Sequence, residues 1–186
     1  MKRTSLFAVG VALGAIACSS GPTPEPETCD DECVDESGFR ALRETMKLVF
    51  NLTLQGNPVG AQDETTPCPQ GGTAHVFGTA TSDASIGATE VDLTFALDRC
   101  AYIQRDDQPE ESYDTTISGT VSEAGVLAVQ PTATTAILFS GEHISIEGTV
   151  FDPPIEYSAE DCALEAGQNG NRIGGTLCGR EIAFEL

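Results

Sequence analysis

Over most of this chain hydrophobic and polar residues alternate with a period of two; a single segment carries a helical period instead. Val91, Leu93, Phe95 and Leu97 alternate with Asp92, Thr94, Ala96 and Asp98, the mark of a half-buried strand. Ile144, Ile146, Gly148 and Val150 interleave with His143, Ser145, Glu147 and Thr149. Ile182, Phe184 and Leu186 do the same with Glu181, Ala183 and Glu185. Less regular runs at 73–81, 115–121, 126–130, 134–140, 155–166 and 172–178 also read as strands, separated by turn residues at short intervals. The helical exception is Phe39, Leu42, Met46, Val49 and Phe50, which fall on one face. Asp35, Glu36 and Ser37 supply its capping end and Gly56 with Pro58 its stop, which predicts a helix over 36–54. The pattern therefore predicts a mainly β fold, an antiparallel curved sheet or barrel with one N-terminal α-helix. A β-sandwich is the alternative.

A weak echo runs through the predicted strands: Gly78-Thr79, Gly119-Thr120, Gly148-Thr149 and Gly175-Thr176. Glycine inside a strand marks a bulge, a bend or a close backbone approach. The spacings are too uneven for a repeat, so the glycines point to strong coiling of a meander.

Cysteine usage adds cross-links to this picture. There are seven: Cys18, Cys29, Cys33, Cys68, Cys100, Cys162 and Cys178. An odd count in an exported chain needs an explanation, and setting Cys18 aside leaves an even six, enough for three disulfides. Asn169-Gly170-Asn171 is a hairpin signal, and a three-residue loop there would set Cys162 directly opposite Cys178. Cys68 and Cys100 flank two strands and can close in the same way. Cys29 and Cys33 are then left to each other.

The N-terminus explains why Cys18 stands apart. Lys2 and Arg3 precede the apolar run Leu6–Ile16, which is well short of the ~20 residues of a spanning helix. These are the parts of a secretory signal. Leu13-Gly14-Ala15-Ile16-Ala17-Cys18 resembles the lipobox of bacterial lipoproteins, with Ala15 standing where that family usually has Leu. The resemblance covers about the first 18 residues. It implies cleavage before Cys18, diacylglycerol on its sulfur and an acyl group on its new amine. Ser19 in the next position implies sorting to the outer membrane of a Gram-negative cell. Three acyl chains hold a protein far more firmly than the marginal grip of one. The expected organisation is a signal peptide at 1–17, a lipid-anchored Pro/Glu-rich tether at 18–28 and a single domain at 29–186. Pro22, Pro24 and Pro26 favour an extended tether of about 3.1 Å per residue.

Charge excludes one class of partner. All 29 acidic residues lie beyond residue 17, against seven remaining bases, so the mature chain carries a formal charge of 7 − 29 = −22. Such a surface repels phosphate backbones, and no nucleic-acid partner is expected.

Chemical motifs are sparse. No nucleophile elbow, phosphate-cradling loop or His-Glu-x-x-His is present. His75 and His143 both fall in predicted strands and read as strand residues rather than a metal pair. Cys29-Asp30-Asp31-Glu32-Cys33 reads as a staple, because an oxidising compartment favours disulfides over thiolate ligands. Asp106, Asp107, Glu110 and Glu111 lack the ladder of a calcium loop and read as a solvated loop. No catalytic residue, metal or cofactor is assigned. The expectation is a lipid-anchored envelope protein acting as a non-enzymatic binding or structural module. Its alternatives are a barrel carrying a small hydrophobic ligand and a carboxylate-dependent hydrolase.

Overall fold

The computed structural model describes residues 28–56, 59–83, 85, 87–128 and 134–186. Cys18, the signal segment and nearly all of the tether lie outside the described residues. The chain begins with helix α1 (Asp31–Thr53). Eight strands follow: β1 (Gly60–Pro67), β2 (Thr73–Asp83), β3 (Ala88–Gln104), β4 (Tyr113–Ala128), β5 (Ala136–Val150), β6 (Ile155–Asn169), β7 (Arg172–Leu177) and β8 (Arg180–Glu185). They form one antiparallel meander in chain order, and β1 and β8 do not pair, so the sheet stays open.

The helix starts five residues before the predicted point. Asp30 is its N-cap, with a carboxylate accepting from the Cys33 amide at 3.1 Å, and Asp31 and Glu32 place negative charge in the first turn. The Cys29–Cys33 disulfide brackets that turn. The face read from the sequence is the buried one: Phe39, Leu42, Met46 and Val49 are at most 2 % exposed. They share one core with Val76, Leu93, Phe95, Ile117, Ile146 and Leu177 from the strands.

The sheet curls around this helix. In a flat sheet, strands β4 and β8 would lie roughly 19 Å apart at ~4.8 Å per strand. A single side chain nevertheless joins them. One Arg40 guanidinium donates to Glu111, two residues before β4, and to the Glu185 carbonyl of β8 at 2.7 Å. Glu36, one turn earlier, accepts from the Ala183 amide of β8 at 3.4 Å. The helix thus holds the open edge of the sheet.

Glycine and bulges supply the bending. Gly78, Gly119, Gly148 and Gly175, the residues of the Gly-Thr echo, all sit in strands at φ between +121° and +153°. At Gly148 a Cβ would lie 2.1 Å from the Asp114 carbonyl oxygen of β4. Only glycine allows that approach. Register shifts cross the sheet in a line, at Arg99 in β3, Gly119 in β4, His143 in β5 and Asp161 in β6. Each of the three non-glycine residues has a positive φ. Aligned bulges make a crease, and a crease increases local twist.

Three expectations need correction. The predicted run at 115–121 and the described part of that at 126–130 belong to one strand, β4, and those starting at 134 and 143 share one strand, β5, which begins at Ala136. Gly125 and the His143 bulge bend these strands without ending them. Strand β1 was not expected, because Gly-Ala-Gln-Asp-Glu-Thr-Thr-Pro is a polar edge strand with one buried position, Gln62. The β6–β7 turn is two residues long, with Gly170 at φ 63°, so Leu164 faces Leu177 and Asn169 faces Arg172. Cys162 and Cys178 are therefore one residue out of direct opposition. They still form their disulfide, because Cys178 leaves the ladder at φ 55° and brings the two Cα atoms to 4.6 Å.

Candidate functional site

All six cysteines of the domain are consumed in pairs: Cys29–Cys33, Cys68–Cys100 and Cys162–Cys178. No thiolate is left among them to bind metal or attack a substrate. Cys18 is the one cysteine of the sequence outside this ledger.

The two histidines lie on the outer face and do not converge. His75 on β2 pairs with Asp63 on β1, Nε2 to Oδ1 at 2.7 Å, and its ring stands 5.0 Å from that of Phe77. His143 on β5 pairs with Asp161 on β6, Nδ1 to Oδ1 at 2.5 Å. That hydrogen bond, with the carboxylate charge behind it, raises the affinity of His143 for its proton. An imidazole held at Nδ1 leaves Nε2 free, which is the geometry of a general base, but both partners are about three-quarters exposed. Among the described residues no group of three His, Cys, Asp or Glu side chains is placed to hold a metal ion. The acidic loop is dispersed. Asp106 accepts from the Gln108 amide, while Glu111 turns inward to Arg40.

Two acids near the start of α1 are tied to the sheet. Asp35 is buried, paired with Arg180 at 2.6 Å and faced by Tyr157, and Glu36 meets the Ala183 amide. Burial raises both carboxyls above their ordinary range, against the pull of Arg180 on Asp35 and of the amide on Glu36. The neighbouring Gly38 has no room for a side chain, since a Cβ there would lie 2.5 Å from the Tyr157 ring. These contacts dock the helix.

The most distinctive chemistry lies under the second half of α1. Glu123 occupies an inward position on β4, with Leu93 of β3 and Phe139 of β5 directly across from it. It is 7 % exposed, and among the described residues it makes no hydrogen bond or ion pair. Burial pushes its carboxyl up to about 7, with Arg43 pulling the other way. Beside it is a hollow of about 90 Å³, walled by the apolar Met46, Phe50, Leu127 and Phe139 and by the polar Arg43, Lys47 and Gln168. The sequence motifs do not single out Glu123. Its one signal is a charge in phase with Val121 and Leu127, on the strand face that is otherwise apolar.

The outer face carries a larger, shallow hollow of about 630 Å³ over β4 to β7, floored by Gly167 and Gly174. Leu138 stands in it, 69 % exposed. Beneath α1, by contrast, the hollow beside Glu123 holds about 90 Å³. No protein-family model, no curated protein and no solved structure matches this chain.

Proposed function

We propose that this chain is a lipid-anchored cell-envelope protein, held through acylated Cys18 in the outer membrane of a Gram-negative bacterium. Residues 29–186 act as a non-enzymatic binding or structural module. One observation carries the proposal: six cysteines close three disulfides inside the domain, so the seventh, in a lipobox-like context, is spared for a different chemistry. Disulfides belong to an oxidising compartment, which fits export. Among the described residues no helix is long and apolar enough to cross a membrane, and a lipid anchor does not need one.

The filled interior favours a binding or structural role over a carrier role. Phe39, Leu42 and Met46 occupy the centre of the curled sheet, and about 90 Å³ remains beside them. Pockets for drug-sized ligands run to roughly 300–1,000 Å³. Two inward-turned carboxyls are engaged in docking the helix, Asp35 on Arg180 and Glu111 on Arg40.

Fractionation tests the anchor. Wild-type protein is expected in the membrane pellet, released by detergent and not by high salt. Cys18→Ala is expected in the soluble fraction or retained as uncleaved precursor. Equal detergent-dependent pelleting of both, with normal processing, would overturn the proposal.

A further inference from the structure

The hollow beneath α1 has one unmet demand. Its cationic neighbours are already engaged: Arg43 with Glu44 at 2.7 Å and with Gln168 at 3.4 Å, and Lys47 with Glu44 at 2.9 Å. Gln168 in turn donates to the Gly170 carbonyl at 2.8 Å. Glu123, 7 % exposed, makes no hydrogen bond or salt bridge among the described residues, and the charge that acts on it is that of Arg43. An unpaired buried carboxylate is costly, and the group that relieves it is a charged donor. The walls match the rest of such a ligand. Phe50 and Phe139 bring aromatic rings, a side-chain class that attracts ammonium groups, and Met46 and Leu127 bring apolar contact. A volume of about 90 Å³ equals roughly three waters at ~30 Å³ each, which admits a head group and a short stem and little more.

We propose that this hollow is a binding site for a small primary alkylammonium ion, its head on the Glu123 carboxylate and its stem against Phe50 and Phe139. The inference deepens the binding half of the proposed function and is independent of the lipid anchor.

Thermal unfolding of the mature protein at about pH 8, where Glu123 is mostly ionised, tests it. The probe is n-butylammonium chloride, with sodium chloride and n-butanol as matched controls. A saturable rise in Tm is expected with butylammonium alone. Glu123→Gln, which keeps the packing, abolishes that rise, and Arg99→Gln, exposed on β3 and no part of the hollow's lining, preserves it. A second readout covers any change in baseline stability. By NMR, saturating amine lowers the titration midpoint of the Glu123 carboxyl carbon, since a site that favours the carboxylate must be favoured by it. An equal Tm response in wild type and Glu123→Gln, or an unmoved midpoint, overturns the proposal and leaves the hollow to water. Neither result touches the Cys18 fractionation, so the anchor and the cavity fail separately.

Discussion

At Glu123 a carboxyl sits where its strand neighbours call for an apolar side chain, between Leu93 and Phe139. The consequence is a defined pH dependence. Below the ordinary carboxyl value of 4.5 both folded and unfolded chains hold the proton, and nothing is lost. Between 4.5 and about 7 the unfolded chain ionises first, so stability falls as pH rises, and it levels off above 7. Glu123→Gln removes the titration. In urea unfolding it is expected to exceed wild type by about 3 kcal/mol above pH ~8, with the gap closing below pH ~4.5. Gly148 makes the opposite point, that a missing side chain can be essential. Gly148→Ala must place a Cβ 2.1 Å from the Asp114 carbonyl at a φ of +136°, and is expected to lose roughly 2 kcal/mol or more. Gly174→Ala, with nothing within 4 Å, serves as the control and stays within about 0.5 kcal/mol.

Among the elements, α1 decides the architecture, because it joins the loop before β4 to the edge strand β8. Arg40 carries that joint, with its guanidinium on Glu111 and Glu185 and 4.1 Å above the Phe184 ring. Arg40→Ala strands the Glu111 carboxylate and is expected to cost about 3 kcal/mol in chemical denaturation. Amide exchange at Ala183 and Glu185 should accelerate with it, as the edge of β8 loses its cover. The helix face was legible in the sequence, because Phe39, Leu42, Met46 and Val49 repeat at the helical period on a surface that must be buried. Its first turn was not, because the cap at Asp30 is a local hydrogen bond hidden within an acidic run. Strand β1 left no hydrophobic signal, since an edge strand burying only Gln62 has no face to alternate. The continuity of β4 and β5 was hidden by Gly125 and by Gly141-Glu142, which fall between the predicted runs and lie within continuous strands. Glu123 was illegible for a different reason. Its burial depends on what α1 covers, and no local period records that.

For the whole molecule, charge and cross-linking describe the setting the chain is built for. The outward positions of the strands hold Asp92, Glu142, Glu147, Glu156, Glu160 and Glu165 in solvent, a coat on the sheet to which the buried Asp35 and Glu123 are the exceptions. Three disulfides staple the helix start, the β1–β3 region and the β6–β7 hairpin. Cys68–Cys100 and Cys162–Cys178 were legible because each closes over neighbouring strands, and Cys29–Cys33 followed by elimination. The exact register of Cys162 and Cys178 was not legible, because it hangs on a turn of two residues in place of three. The same pairing leaves Cys18 over, and the proposed membrane attachment rests on that residue. The most direct measurement is the intact mass of protein extracted from its own membranes without reductant. The account predicts a chain beginning at Cys18, carrying acyl mass and lacking two hydrogens for each of three disulfides. A mature chain beginning elsewhere, with no acyl mass, would contradict it.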